Sequence, residues 1–184
     1  MANCKIKFDF TKIMSKFILL FTILLTFAVV SNAQIKSIYT TTSDKVCKAQ
    51  DAGSDEGGDY IGICPGVGGY KLKLIEGDLR QTLFVITPAK KVHPLDFMRF
   101  FMTFSAIDRK VEWRVKKGVP IALIARYNVA DGEDSDKRKS YLMVAKVGKA
   151  RSCVTDIVLP SKTQNEKARE LADAAASKPC KKTE

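Results

Sequence analysis

Val111-Glu112-Trp113-Arg114-Val115-Lys116, then Lys117-Gly118, then Val119-Pro120-Ile121-Ala122-Leu123-Ile124-Ala125-Arg126-Tyr127-Asn128-Val129, is the stretch that decides the fold. In its first part the odd positions are apolar and the even ones charged. A period of two is the signature of a strand with one face buried. Lys117-Gly118 breaks the pattern where glycine can take the positive φ of a tight hairpin turn. Alternation then resumes, with Ile121, Leu123, Ala125, Tyr127 and Val129 on one face and Ala122, Ile124, Arg126 and Asn128 on the other. Two strands joined this closely form an antiparallel pair, and the alternation turns Arg114 and Lys116 towards water.

The same pattern extends in both directions. Downstream, Asp131 to Lys139 is a highly charged hairpin loop, Tyr141 to Val147 is a central strand apolar on both faces, and Ser152 to Leu159 is a further strand. Upstream, Tyr70-Lys71-Leu72-Lys73-Leu74 alternates strictly, which places Lys71 and Lys73 in solvent. Arg80 to Thr87 is apolar and β-prone, with Glu76-Gly77-Asp78 as the turn before it. His93 to Ile107 breaks the strand period. Asp96, Arg99 and Thr103 form one polar stripe among Leu95, Phe97, Met98, Phe100, Phe101, Met102 and Phe104, with Pro94 at the first turn. That spacing predicts a largely buried, Phe-rich helix. After Pro160 a second helix is expected, opened by a capping box at Ser161…Gln164 or Thr163…Glu166, with Ala168, Leu171, Ala172 and Ala175 inward. The order of elements implies an α+β fold: a mainly antiparallel β-sheet with a central Phe-rich helix and a C-terminal helix packed on it. No internal repeat is visible.

The 184 residues carry 31 Lys and Arg against 20 Asp and Glu, a net charge of +11. Lys5, Lys7, Lys12 and Lys16 precede an apolar run, Phe17 to Val30, and Ser31-Asn32-Ala33 ends it with small residues. This order is that of a secretory signal peptide over residues 1–33, cleaved near Ala33. The run of fourteen is short of the about 20 residues a spanning helix needs, so no transmembrane segment is expected after cleavage. Loss of four lysines and Asp9 would leave 27 basic and 19 acidic residues, a basic mature chain at +8. The expected organisation is the signal peptide, a flexible Thr/Ser-rich arm over 34–44, and a single disulfide-stapled domain over 45–184. An exported location, periplasmic or extracellular, follows.

Cys4 leaves with the signal, and Cys47, Cys64, Cys153 and Cys180 remain. An even count in an exported chain implies two disulfides, with three connectivities open. Cys47–Cys64 and Cys153–Cys180 are favoured because each closes a local loop. The second would also tether a C-terminal helix that has only one large apolar residue to dock with. No two cysteines stand at zinc-site spacing and His93 is remote from them, so no metal is expected there.

Other chemistry has little support. Gly62 to Gly69 is rich in glycine, but Tyr70 and a strand follow where a phosphate-binding loop would have Lys and a helix. The acidic sets Asp51, Asp55, Glu56, Asp59 and Asp131, Glu133, Asp134, Asp136 miss the spacing of a calcium loop. A Ser-His-Asp triad would have to use His93, the only histidine, and there is no Gly-x-Ser-x-Gly elbow. No catalytic residue and no cofactor is assigned. The most distinctive feature is basic: Lys71, Lys73, Arg114, Lys116 and Arg126 would form a positive face if their strands share a sheet. Such a face suits an anionic polysaccharide, a lipid head group or another polyanion. No specific nucleic-acid motif accompanies it. The leading expectation is a small exported binding domain without catalytic activity that contacts an anionic envelope component. The alternative is an envelope hydrolase acting on glycans through paired carboxylates. A lysozyme-type inhibitor is a third, weakened by like charge with a basic lysozyme.

Overall fold

The computed structural model describes residues 34–50, 59–132 and 134–182, with side chains omitted at 134–136. The expected signal peptide, Glu133 and most of the acidic loop after Gln50 lie outside the described residues. Among the described residues ten strands form one mixed, mostly antiparallel sheet: β1 (Lys36–Thr41), β2 (Lys48–Gln50), β3 (Tyr60–Pro65), β4 (Lys71–Gly77), β5 (Arg80–Ile86), β6 (Val92–Pro94), β7 (Ser105–Lys116), β8 (Val119–Asp131), β9 (Asp134–Lys146) and β10 (Cys153–Val158). One helix, α1 (Gln164–Asp173), follows them.

The strands run in the order β10-β9-β8-β7-β5-β4-β3-β2, with β1 added beside β7 and β6 beside β5. The link between β5 and β7 is a single parallel pairing, Arg80 with Ser105. This thin hinge lets the sheet fold over into two layers. Cys64, Leu72, Leu74, Leu83 and Val85 from the front layer (β2–β6) share one core with Val111, Trp113, Val115, Leu123, Tyr127 and Met143 from the back layer (β1, β7–β10). Gly66 closes the β3–β4 connection against this core; a Cβ there would stand 2.4 Å from the Tyr70 carbonyl oxygen and 3.1 Å from the Trp113 ring. The outer face of the back layer carries Ala122, Ile124, Leu142, Val144 and Val158, covered by Ala168, Ala172 and Ala175. Lys117 and Gly118, both at positive φ, make the tight turn between β7 and β8.

Several expectations are corrected. The central Phe-rich helix does not form. Val92–Pro94 is an edge strand, Phe97–Arg99 is one turn of 3₁₀ helix, and β7 begins at Ser105. Asp96 takes a left-handed conformation (φ 50°), and the Leu95 and Phe97 amides donate to Leu83 O and Thr82 Oγ1. Those donors are therefore spent on β5. Aromatic residues have only middling helix propensity, and here their rings gain more from mutual packing. Phe97 and Phe101 meet Tyr127 at centroid distances of 5.4 and 5.7 Å, and Phe101 meets Tyr141 at 4.6 Å.

The flexible arm expected over 34–44 contains β1, paired with β7 from Lys36↔Val115 to Thr41↔Lys110. The indole of Trp113 donates to Thr40 Oγ1 at 2.8 Å and fixes it there. The charged hairpin loop at 131–139 is mostly ladder, since Ala130 pairs with Arg138 and Val129 with Lys139. α1 has no side-chain N-cap bond from Thr163. Gln164 instead donates to Ser140 O (2.8 Å) and Val158 O (3.0 Å), joining the helix start to the sheet. Both disulfides form as paired from the sequence, Cys47–Cys64 with Cα atoms 4.2 Å apart and Cys153–Cys180 with 5.7 Å.

Candidate functional site

The five basic residues singled out from the sequence do not share a face. Arg114 lies under α1, 8% exposed, because the even positions of β7 face the helix. Its guanidinium donates from Nε and Nη2 to Asp173 at 2.6 and 2.8 Å, and from Nη1 to Ser37. Glu112, one step along the same face, accepts from Arg169 at 2.8 and 3.2 Å and from the Ser37 hydroxyl. Arg169 also donates to Tyr39 Oη at 3.3 Å. Arg126 is taken up in the same way, bonding Ser140 Oγ, Gln164 Oε1 and Asn165 Oδ1 at 2.8 to 3.1 Å. Burial opposes the charge on Glu112, but the Arg169 and Ser37 hydrogen bonds outweigh it and hold the carboxyl below its ordinary value. The Asp173 hydrogen bond raises Arg114 against the opposing effect of burial. This network fastens an alanine-faced helix to the sheet; it neutralises Arg114 and Arg169 with Asp173 and Glu112, while Arg126 bonds only neutral groups. Lys116 is exposed at the far end of β7.

Lys71 and Lys73 behave differently. Leu72 and Leu74 point into the core, so the odd positions of β4 face outward from the front layer. The register sets two rows across that face. One is Lys48–Ile63–Lys73–Phe84–Pro94; the other is Pro65–Lys71–Ile86–Val92. Lys73 Nζ lies 5.9 Å from the Phe84 ring centroid, within cation–π range. Ile63, Phe84 and Ile86 are half-buried, and Val92 is 50% exposed. The helix packs on the other layer. The front face is therefore an open sheet surface of aliphatic and aromatic side chains with Lys48, Lys71 and Lys73 among them, and the two rows contain no carboxylate. Long lysine stems can lie along such a surface while the ammonium groups stay in water.

Among the described residues His93 joins no Ser-His-Asp set. His93 Nδ1 lies 3.2 Å from Ser152 Oγ, yet Ser152 is 3% exposed and its hydroxyl also contacts the Gly148 amide and carbonyl. It braces the β9–β10 connection. Asp44 and Glu112, the two carboxyls with displaced pKa values, both move down, by the Ser43 hydrogen bond in the first case and by Arg169 and Ser37 against burial in the second. A glycosidase general acid needs the opposite shift. No group of three or more potential metal ligands occurs among the described residues. Asp173 beside Arg114, and Gln164 and Asn165 beside Arg126, are invisible to local periodicity, because they sit on a helix distant in sequence. Compared with protein-family models, with curated proteins and with solved structures, the chain finds no match.

Proposed function

We propose that the chain is exported, loses residues 1–33, and acts as a non-enzymatic binding domain that meets an anionic envelope surface through the open face of its front layer. The observation that supports this is the placement of Lys71 and Lys73 beside Ile63, Phe84 and Ile86 on a sheet face without a covering helix. Lysines set among apolar side chains match a bilayer interface, where head groups meet the cations and acyl chains meet the apolar groups. A purely polyanionic partner would use the lysines and leave the apolar rows without a role. The two disulfides suit an oxidising compartment, and no described helix is long and apolar enough to cross a membrane.

Co-sedimentation with vesicles tests this. The protein should bind phosphatidylglycerol-containing vesicles and not neutral phosphatidylcholine ones. Each surface lysine contributes about 1 kcal/mol, so Lys71→Ala with Lys73→Ala should weaken binding about thirtyfold. Lys137→Ala with Lys149→Ala, away from this face, should change it far less. Equal losses from the two pairs would assign the effect to net charge and end the proposal. Binding to an anionic polysaccharide resin but to neither vesicle would replace the lipid partner with a polymer.

A further inference from the structure

A second basic site lies elsewhere on the molecule, and the front-layer proposal does not use it. Between β6, the Phe97–Arg99 turn, the β9–β10 connection and the segment after α1 is a cavity of about 260 Å³. Arg99, Arg151 and Lys181 line it, with Asp96 as its acid and His93 and Phe100 beside them. Among the described residues none of the three cations has an acid partner. Arg80, Arg114, Lys139, Arg169 and Lys178 are each paired with a carboxylate, while Lys71, Lys73, Lys116 and Arg126 have no carboxylate partner among the described residues either. What sets Arg99, Arg151 and Lys181 apart is that they come from three separate parts of the chain to line one cavity.

The walls are fixed before any ligand arrives. The Ser152 hydroxyl joins the Arg151 connection to His93 of β6 and to the Gly148 amide, at 3.2 and 3.3 Å. The Cys153–Cys180 disulfide and a bond from the Lys181 amide to Val154 O (2.8 Å) hold Lys181 against β10. The Arg99 amide donates to Asp96 O at 3.0 Å and closes the third wall. Preorganisation of this kind reduces the ordering cost of binding.

We propose that this cavity binds a tetrahedral oxyanion, a phosphate or sulfate group carried on a small organic body. Three cationic side chains lining one cavity match a group with three terminal oxygens better than a two-oxygen carboxylate. Guanidinium groups offer paired donors to such oxygens. The cavity has room beyond the anion itself, and the half-buried Phe100 ring supplies an apolar wall for the attached body. Asp96 against Arg99, Arg151 and Lys181 leaves these four side chains at +2, which favours one anionic group over a polyanion.

Isothermal titration of the oxidised protein with phenyl phosphate, phenyl sulfate, inorganic phosphate and phenylacetate tests the assignment. Phenyl phosphate or phenyl sulfate should saturate, whichever is tighter naming the natural anion, with inorganic phosphate and phenylacetate weaker. Arg151→Ala and Lys181→Ala, both at exposed positions, should each weaken binding about tenfold, the usual worth of a charge-assisted hydrogen bond. Lys71→Ala with Lys73→Ala should leave it unchanged, which separates this site from the front face. No saturation by about 10 mM, well above the dissociation constant of a site worth about 4 kcal/mol, would overturn the proposal. So would phenylacetate binding as tightly as phenyl phosphate, or equal losses from the front-face variant.

Discussion

Replacing Arg114 should destabilise this protein more than any other single change to a charged surface-strand residue. Its side chain is 9% exposed, and it meets Asp173 at 33% and Glu112 at 12%. Arg114→Leu strips Asp173 of both its donors and removes one of the cations beside Glu112, which still keeps Arg169. Breaking a buried pair from one side costs about 3–5 kcal/mol, because the partner is left charged and unpaired. Asp173 is one-third exposed and can recover water, so the lower end applies, about 3 kcal/mol. Asp173→Leu should cost about 2 kcal/mol, since Arg114 retains Glu112 at 3.6 Å.

The double variant is the decisive one. With neither charge present nothing is orphaned, and two leucines can pack between helix and sheet. The two single losses should then fail to add, with a coupling of about 2 kcal/mol. Urea unfolding of the oxidised protein measures all three, with unchanged m-values showing that the folded and unfolded states stay comparable. Additive losses, or an Arg114→Leu cost under about 1 kcal/mol, would show that the pair behaves like an ordinary exposed salt bridge and that α1 is held by other means.

Two further outcomes follow from the same geometry. The Glu112 carboxyl is held below its ordinary value in the folded state, so its contribution is present above the unfolded pKa of about 4.3 and is lost as pH falls through the lower folded value. Thermal melts from neutral pH down to strongly acidic pH should therefore show Glu112→Gln less stable than the parent at neutral pH and equal to it at the acid end; a constant gap would refute this. Cys153→Ala with Cys180→Ala opens a loop of sequence separation 27 and should cost about 3 kcal/mol in the chain-entropy account, read by urea unfolding, while Cys47–Cys64 persists in non-reducing peptide maps.

The strands were legible because alternation is a local property. Val111 to Lys116, Lys71 to Leu74 and Tyr141 to Lys146 all lie in strands, and the Lys117-Gly118 turn falls where glycine placed it. The disulfides were legible because loop closure depends on separation along the chain. What alternation cannot supply is the identity of whatever covers a face. It separated Glu112 and Arg114 from Val111 and Trp113 correctly, yet assigned them to water, when α1 and β1 arrive from 57 to 77 positions away to meet them. β1 was missed for the same reason, as its partner strand is remote and its own pattern is short. The Phe-rich stretch misled in another way. A polar stripe at Asp96, Arg99 and Thr103 fits a helix, but the spacing is silent about the β5 acceptors that capture its amides.

The two outer faces of the sandwich show how the charge is divided. On the back layer a helix with three buried alanines can approach closely but gains little apolar area, so arginine–carboxylate pairs complete the attachment. These pairs consume Glu112 and Asp173 and neutralise Arg114 and Arg169, while Arg126 nearby bonds only neutral groups. Among the described residues, Lys48, Lys71 and Lys73 on the front layer, and Arg99, Arg151 and Lys181 around the cavity, have no such carboxylates. In a chain with an excess of basic residues, the anionic partners proposed above would be drawn to places where the acids have not been spent. Lysines on an apolar sheet face also discourage face-to-face association of two copies. That role alone would be served by lysines at any spacing along the rows. It would not require Lys73 to stand beside Ile63 and over Phe84, which is the arrangement that a mixed apolar and anionic surface would meet.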